Sequence, residues 1–259
     1  MQSIEHDGRT IRYRETQPDA GGPTVLYVHG SGATHRVWAV QYGPDGPAHP
    51  AVALDLSGHG ASDDVGTEPG PKTLSAYAQD VTAVARATDA EVLVGNSLGG
   101  AVAQQVVLET DLDPSGLVLA GSGAKLTVLE DLREWLTDDF DRAVDFLHDD
   151  DRLFHDADDR TVDRSRSEMR DAGRAVTRRD FLTCHAFDVR DRLDEIDVPA
   201  LAVVGEYDTL TPPAYHEYLA DRLSDCTYAE VEDAAHLAMV ERPTAFNRAV
   251  ARFLESVDG

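Results

Sequence analysis

Three polar residues that lie far apart in the sequence have the types needed for nucleophilic catalysis. Ser97 lies in the segment GNSLG, between an apolar run and an amphipathic run. Asp208 and His236 follow, 111 and then 28 residues further on. A serine hydroxyl is a weak nucleophile on its own, and a histidine that is oriented by a carboxylate activates it. These residue types predict acyl-transfer chemistry if the fold brings them together.

Ser97 also has a simpler interpretation. Serine is common near helix N-termini, because its oxygen accepts hydrogen bonds from backbone N–H groups that have no partner in the helix. The glycines on both sides favour a nucleophile instead. A serine on a sharp strand-to-helix turn sits in strained backbone and needs small neighbours. Since G-x-S-x-G also occurs by chance, the elements around it must decide between the two interpretations.

The order of the apolar segments predicts strands that alternate with helices. The sequence IEHDGRTIRYRE, with its Asp7-Gly8 turn, predicts a hairpin. Buried strands are predicted within 23–30, 51–60, 90–95, 115–121 and 198–208, with a further strand in 226–233. Helices are predicted at 74–88, 98–109, 215–223 and 244–254. This order is typical of an α/β fold with a mostly parallel, doubly wound sheet.

One long segment interrupts this alternation. Residues 124–187 contain no convincing strand, and their pattern is helical with long acidic runs such as LHDDDRLFHDADDRTVDRS. Within 130–171 there are 16 acidic residues and 7 arginines. An insertion of this length is commonly a lid over a site, although it could also be a solvated decoration. We therefore predict a core formed by 1–123 and 188–259, and a helical cap formed by 124–187.

The composition limits the partners and the compartment. The 259 residues carry 48 acidic and 23 basic side chains, a formal charge of −25, and only two of the basic residues are lysines. This balance is typical of proteins from salt-accumulating organisms and opposes contact with nucleic acid. The N-terminal residues do not resemble a signal peptide, no run is long enough to span a membrane, and the two cysteines are far apart. We expect a cytoplasmic monomer or homodimer that uses no metal or dinucleotide.

The motifs together resemble the α/β-hydrolase fold superfamily, in its esterase, lactonase and C–C hydrolase branch. The resemblance covers almost the whole chain and includes HGSG at 29–32, DLSGHGAS at 55–62, GEYDTLTP at 205–212 and HLAMVERPTAFN at 236–247. The order Ser, Asp, His along the chain is the one that this superfamily uses.

The resemblance implies a role for each residue of the candidate site. Ser97 would be the nucleophile, His236 its base, and Asp208 the acid that orients the histidine. The backbone N–H groups of Leu98 and Ser31 would form the oxyanion hole. No cofactor is needed for this chemistry, and the substrate would be a small ester or lactone. We expect Gly30, Trp38, Trp135, Leu210 and Leu237 to contact it. Phe140, Phe146, Phe154 and Phe181 could also line a pocket or pack inside the cap.

Other polar residues near these motifs have structural interpretations. His29 is expected to shape the oxyanion loop, and Asp55 and His59 are expected to be structural. Glu206 is the second choice for the orienting acid, because it lies in the same turn as Asp208. His185 and His216 have no partner in the sequence, and we expect them on the surface or in packing.

Two alternative functions remain open at this point. Hydrolases of the meta-cleavage type break carbon–carbon bonds with the same triad, but they typically carry tryptophan after the histidine, where this chain has Leu237. A hydrolase-like protein that only binds a ligand is the second alternative, and an intact triad argues against it. The same fold with an aspartate nucleophile gives dehalogenases and epoxide hydrolases, which Ser97 excludes in their usual form.

The charge of −25 predicts that folding and activity need molar salt. Repulsion between the acidic side chains is screened as the ionic strength rises. We expect the midpoint of thermal unfolding and the hydrolytic activity to increase between dilute buffer and molar KCl. Full activity after dialysis into dilute buffer would contradict this expectation.

Overall fold

An eight-stranded sheet forms the centre of the protein. The structure is a computed structural model that describes residues 1–43, 46–47 and 49–257. The strands are β1 (Gln2–His6), β2 (Arg9–Thr16), β3 (Val25–Val28), β4 (Ala51–Asp55), β5 (Val92–Asn96), β6 (Gly116–Ala120), β7 (Ala200–Gly205) and β8 (Cys226–Val231). Their order in the sheet is β1-β2-β4-β3-β5-β6-β7-β8. The pairs from β4 to β8 are parallel, whereas β1 and β2 are antiparallel to their neighbours.

Eight α-helices accompany the sheet among the described residues. They are α1 (Pro71–Ala87), α2 (Leu98–Glu109), α3 (Glu130–Asp138), α4 (Phe140–Leu147), α5 (Asp159–Ala186), α6 (Pro213–Arg222), α7 (Ala238–Glu241) and α8 (Pro243–Val257). Helices α2, α6 and α8 contact the strands of the sheet. The prediction of an α/β fold with a mostly parallel sheet is confirmed. None of the helices within the described ranges is long and apolar enough to cross a membrane.

The central strands are buried along their whole length, as their continuous apolar runs predict. Every residue of β3, β4, β5, β6 and β7 is buried. Strands that are covered on both faces have no solvent side, so they do not alternate apolar and polar residues. In the N-terminal hairpin, Asp7 and Gly8 have φ values of 48° and 73°, which is the twist that a two-residue hairpin turn requires.

The segment 124–187 lies between β6 and β7 and contains α3, α4 and α5. Its acidic run was predicted to be helical, but residues 148–158 are not helical, and α5 begins only at Asp159. Asp158 accepts a hydrogen bond from the Thr161 N–H and thereby caps that helix. Gly173, with φ 82°, kinks α5 in its middle. The division into a core and a cap stays a prediction.

The turn between β5 and α2 is unusually crowded. A Cβ on Gly95 would overlap the Gly99 carbonyl group, and a Cβ on Gly99 would overlap the Val28 carbonyl oxygen. A Cβ on Gly100 would overlap the side chain of Ser122. The first turn of α2 therefore lies directly against the ends of β3 and β5, which only glycine permits. This close approach fixes where Ser97 is presented.

Gly95→Ala tests whether this contact holds the turn. We expect the variant to lower the free energy of unfolding by several kcal/mol, because an atom forced into a packed backbone shifts both elements. Chemical denaturation of the two proteins in the same salt measures the difference. Gly21→Ala is the matched control, because a Cβ there meets nothing within 4 Å. Equal losses in both variants would contradict the account of the turn.

Candidate active site

Ser97 occupies a strained turn at the carboxyl end of β5. Its φ and ψ angles are 55° and −115°, in a region that side chains rarely adopt. The Ser97 N–H donates to the Ala120 carbonyl at 2.9 Å, and the Ser122 hydroxyl donates to the Ser97 carbonyl at 2.9 Å. Although Ser97 precedes α2 directly, its side chain makes no capping hydrogen bond. The interpretation of Ser97 as an ordinary helix cap is therefore wrong.

Asp208 and His236 form a buried pair. The Asp208 Oδ2 atom lies 2.9 Å from the Nδ1 atom of His236, and both side chains are less than 5% exposed. A carboxylate accepts, so Nδ1 carries the proton and Nε2 is left with its lone pair. This is the tautomer that a general base needs. The fold thus brings together two predicted site residues that are 28 positions apart in the sequence.

A short turn after β7 holds the Asp208 carboxylate. Its Oδ1 atom accepts from the N–H groups of Leu210 at 2.9 Å and Thr211 at 2.8 Å. The Thr211 hydroxyl donates to Oδ2 at 2.8 Å. Glu206, the second choice for the orienting acid, is exposed and accepts from the Asp233 N–H instead. Of these two acids, Asp208 is the one placed to orient His236, and Thr211 is a partner of Asp208 that sequence analysis missed.

Ser97 and His236 line one cavity of about 270 Å³. Its wall also includes Gly30, Ser31, Leu210 and Leu237, all of them predicted site residues. Most of the remaining wall is apolar, and part of it comes from the segment 124–187, including Leu132, Leu153, Phe154, Met169 and Phe181. The predicted site residues and the inserted segment therefore line the same cavity.

Two residues predicted to contact the substrate, Trp38 and Trp135, do not line the described cavity. Trp38 is fully buried, and its ring packs against Tyr27 and Phe246 at centroid distances of 5.1 and 6.0 Å. The ring of Trp135 packs against Phe146 at 5.1 Å, with the Arg142 guanidinium 4.2 Å from its centroid.

Both tryptophans thus contribute to packing, and neither is among the described residues that line the cavity. The same holds for Phe140 and Phe146, whereas Phe154 and Phe181 do line it. An aromatic residue in the sequence does not reveal which side of its element faces the site.

The loop after β3 lies against Ser97. A Cβ on Gly30 would be 3.2 Å from the Ser97 Cβ, so the two backbones are in close contact. His29 donates from Nδ1 to the Gly30 carbonyl at 2.8 Å, and its Nε2 accepts from the Leu56 N–H at 3.1 Å. Burial lowers the pKa of His29 to about 4, so the ring is neutral. The prediction that His29 shapes this loop is confirmed.

Segment 148–158 is hydrogen-bonded to the loops that carry Asp208 and His236. The His236 N–H donates to the Arg152 carbonyl at 3.1 Å, and the Leu237 N–H donates to the Leu153 carbonyl at 3.0 Å. The Thr209 N–H donates to the Asp151 carbonyl at 3.2 Å. The inserted segment is thus hydrogen-bonded to the site on this side, rather than loosely apposed to it.

Other histidines and acids have structural partners. Asp55 accepts from the N–H and the Nδ1 of His35, both at 2.8 Å, which agrees with its predicted structural role. His216 is fully buried, although sequence analysis found no partner for it. Its Nε2 accepts from the Ser122 N–H at 2.9 Å, and burial lowers its pKa to about 4. His185 accepts from the Val128 N–H at 3.3 Å. The part of the chain that the structure describes contains no His, Cys, Asp and Glu cluster that could hold a metal ion.

Comparisons with known proteins find similar hydrolases, both by sequence and by structure. The profile of the alpha/beta hydrolase family matches residues 25–249. A pimeloyl-[acyl-carrier protein] methyl ester esterase of Neisseria meningitidis serogroup A is 33% identical, over 96% of this chain and 82% of the relative. The 3-oxoadipate enol-lactonase 1 of Acinetobacter baylyi is 24% identical, over 96% of this chain and 95% of the relative. The solved structure of a thermophilic esterase matches with a TM-score of 0.86 at 30% identity, over 99% of this chain and 97% of that one.

Thr211→Val tests the hydroxyl that supports the acid. We expect kcat/KM for an ester to fall about tenfold, because a hydrogen bond to a charged group contributes about 1.5–3 kcal/mol. Thr211→Ser is the matched control, since it keeps the hydroxyl and should retain most of the activity. A Val variant as active as the Ser variant would show that the hydroxyl does not support Asp208.

Proposed function

The chain is an enzyme of the alpha/beta hydrolase family, and on this basis we propose that it hydrolyses carboxylic esters or lactones of small substrates. The proposed catalytic residues are Ser97, His236 and Asp208. The observation that carries the proposal is the shared cavity, in which a serine on a strained turn accompanies a histidine held at 2.9 Å by a buried carboxylate.

The first step is proposed to form an acyl-enzyme. His236 Nε2 takes the proton of the Ser97 hydroxyl as Oγ attacks the carbonyl carbon of the substrate. The carbonyl π electrons move onto oxygen, which gives a tetrahedral oxyanion. When the C–O bond to the leaving group breaks, the imidazolium returns its proton to the leaving oxygen. Asp208 holds the ring and stabilises the imidazolium while it is charged.

Two backbone N–H groups are proposed to bind the oxyanion. Leu98 is the first residue of α2, so its N–H has no acceptor within the helix. No hydrogen bond among the described residues uses the Ser31 N–H, and Ser31 lines the cavity. The positive end of the α2 dipole points to the same place. Each such donor typically lowers the barrier by about 3 kcal/mol.

Hydrolysis of the acyl-enzyme completes the cycle. His236 removes a proton from a water molecule, whose oxygen attacks the acyl carbon, and the second tetrahedral species releases the acid and regenerates Ser97. The same sequence opens a lactone, except that the leaving oxygen stays attached to the product. No cofactor takes part in these proposed steps.

The cavity limits the size and the polarity of the substrate. A volume of about 270 Å³ with a mainly apolar wall suits a small or medium acyl group. The wall also contains one arginine and one glutamate. The Arg164 Nε atom lies 3.6 Å from the Glu168 Oε1 atom, so these two charges offset each other. Because α5 and the loop before it contribute to the wall, we propose that residues 124–187 are a cap that selects the substrate.

The named activities of the relatives support ester and lactone hydrolysis rather than the alternatives. One relative is an esterase that acts on a methyl ester, and another is an enol-lactonase. Both names describe cleavage of an acyl–oxygen bond. They favour an enzyme over a protein that only binds a ligand, and acyl–oxygen cleavage over carbon–carbon cleavage.

Labelling with a fluorophosphonate tests the proposed nucleophile. In concentrated KCl, we expect the parent protein to gain one adduct by intact mass, because only an activated serine attacks phosphorus at a useful rate. Ser97→Ala should gain none and should lose at least about a thousandfold in kcat on an ester and lactone panel. Ser224→Ala, which removes an exposed serine, is the control and should behave like the parent.

Two results would contradict the proposal. A folded parent that gains no adduct and cleaves no ester or lactone would show that the site is not a serine hydrolase. An adduct that persists in Ser97→Ala would place the nucleophile elsewhere.

A further inference from the structure

A carboxylate from the inserted helix α5 is buried beneath the loop after β3. Asp180 is fully buried, although it belongs to the segment predicted to form a cap. Its Oδ2 atom accepts from the Gly32 N–H at 3.0 Å and lies 2.8 Å from His59 Nε2. Its Oδ1 atom accepts from the Tyr77 hydroxyl at 2.8 Å. One side chain of the insertion thus joins three separate parts of the core.

The His59 ring is charged in this arrangement. Its Nε2 donates to the Asp180 carboxylate, and its Nδ1 lies 3.2 Å from the Ser57 carbonyl, which can only accept. Both ring nitrogens therefore carry protons. Burial alone would lower the pKa of His59, but the carboxylate beside it raises the pKa above its ordinary value. Asp180 and His59 form a buried ion pair whose charges offset each other.

The loop after β3 is fixed on both sides of Ser31. The Gly30 carbonyl accepts from His29, and the Gly32 N–H donates to Asp180. Gly32 has φ 65°, and α5 also packs against it, since a Cβ there would lie 3.1 Å from the Thr177 hydroxyl. The Ser31 N–H belongs to the same peptide group as the Gly30 carbonyl, and the Gly32 N–H belongs to the next peptide group. The two contacts thus hold the peptide groups on either side of the Ser31 Cα atom.

We propose that Asp180 is a positioning residue, which holds Gly32 so that the Ser31 N–H points at the oxyanion. The proposal rests on the proposed function, because it assigns Ser31 to the oxyanion hole. It adds that the insertion, which supplies much of the cavity wall, also sets the geometry of a donor in the core.

The contact between Asp180 and Gly32 should matter mainly when the substrate carbonyl has become a negatively charged tetrahedral species. Hydrogen bonds weaken steeply when the donor is displaced or tilted, and an oxyanion gains far more from a donor than a neutral carbonyl does. Loss of the Asp180 contact should therefore weaken binding of the tetrahedral species much more than binding of the ester. In Asp180→Asn, one of the two carboxylate oxygens is replaced by an NH2 group, which donates and cannot accept. His59 also loses its counter-charge.

A trifluoromethyl ketone with the acyl chain of a good ester substrate measures this difference. The serine oxygen adds to the carbonyl carbon of such a ketone while its proton passes to His236, and the product is a stable tetrahedral oxyanion. We expect Asp180→Asn to raise the inhibition constant of the ketone between about tenfold and a hundredfold and to lower kcat similarly. The KM of the matching ester should stay within about threefold. Rates are normalised to the fraction of chains that a fluorophosphonate labels, so that misfolded protein does not count.

Thr183→Val is the matched control on the same helix. Thr183 is also buried, and its hydroxyl oxygen accepts from the Gly70 N–H at 2.9 Å. The variant loosens a contact between α5 and the core without touching the loop after β3. We expect it to lower the thermal midpoint while the inhibition constant of the ketone stays unchanged. If Asp180→Asn does not fold, Asp180→Glu keeps the charge but shifts the carboxylate, and the same selective weakening is expected.

The outcomes separate this inference from the proposed function. If the ketone does not inhibit the parent, or inhibits Ser97→Ala equally, the proposed function fails. If the parent is inhibited through Ser97 but the Asp180 variants bind the ketone as tightly as the parent, only the inference is overturned. Equal weakening in Thr183→Val would also overturn it, because the effect would then come from loosened packing of α5.

Discussion

The strained turn at Ser97 is the constraint on which the rest of the structure depends. Its φ of 55° places a serine in a conformation that costs free energy, so the surroundings must enforce it. They do so through a helix that approaches two strands more closely than any residue with a side chain would allow at Gly95 and Gly99. The buried parallel strands supply the rigid edge against which this turn is held. The position of Ser97, the proposed nucleophile, is therefore a consequence of backbone packing, and its side chain makes no capping hydrogen bond to the helix.

The insertion between β6 and β7 forms part of the cavity wall and also contacts the loops around the candidate site. Residues 148–158 accept hydrogen bonds from the loops of Asp208 and His236, and α5 reaches the loop after β3 through Asp180. Movement of the insertion would disturb these contacts together with the cavity wall. If residues 124–187 act as the proposed cap, these contacts link substrate selection to the geometry of the proposed catalytic residues.

The strands, the helices and the candidate residues Ser97, Asp208 and His236 could be predicted because each is marked by a short pattern in the sequence. These patterns can be recognised without knowing the fold: they are the apolar runs, the glycine-rich turn and the order Ser97, Asp208, His236. The role of Trp38 could not be predicted, since residue type does not show whether an aromatic ring faces the core or a cavity. Asp180 was also missed, because its partners come from three segments distant in sequence and no motif marks it. The acidic run before α5 was assigned to a helix, although its aspartates favour a loop and a helix cap.

The most direct test of the account is to isolate the acyl group on Ser97. The parent protein in concentrated KCl is mixed rapidly with excess p-nitrophenyl ester, quenched in acid and analysed by intact mass and peptide mapping. We expect a burst of nitrophenolate of up to one per active chain and an acyl group on the peptide that contains Ser97. Steady turnover of the ester with no acyl group on that peptide, under conditions where the burst is seen, would contradict it.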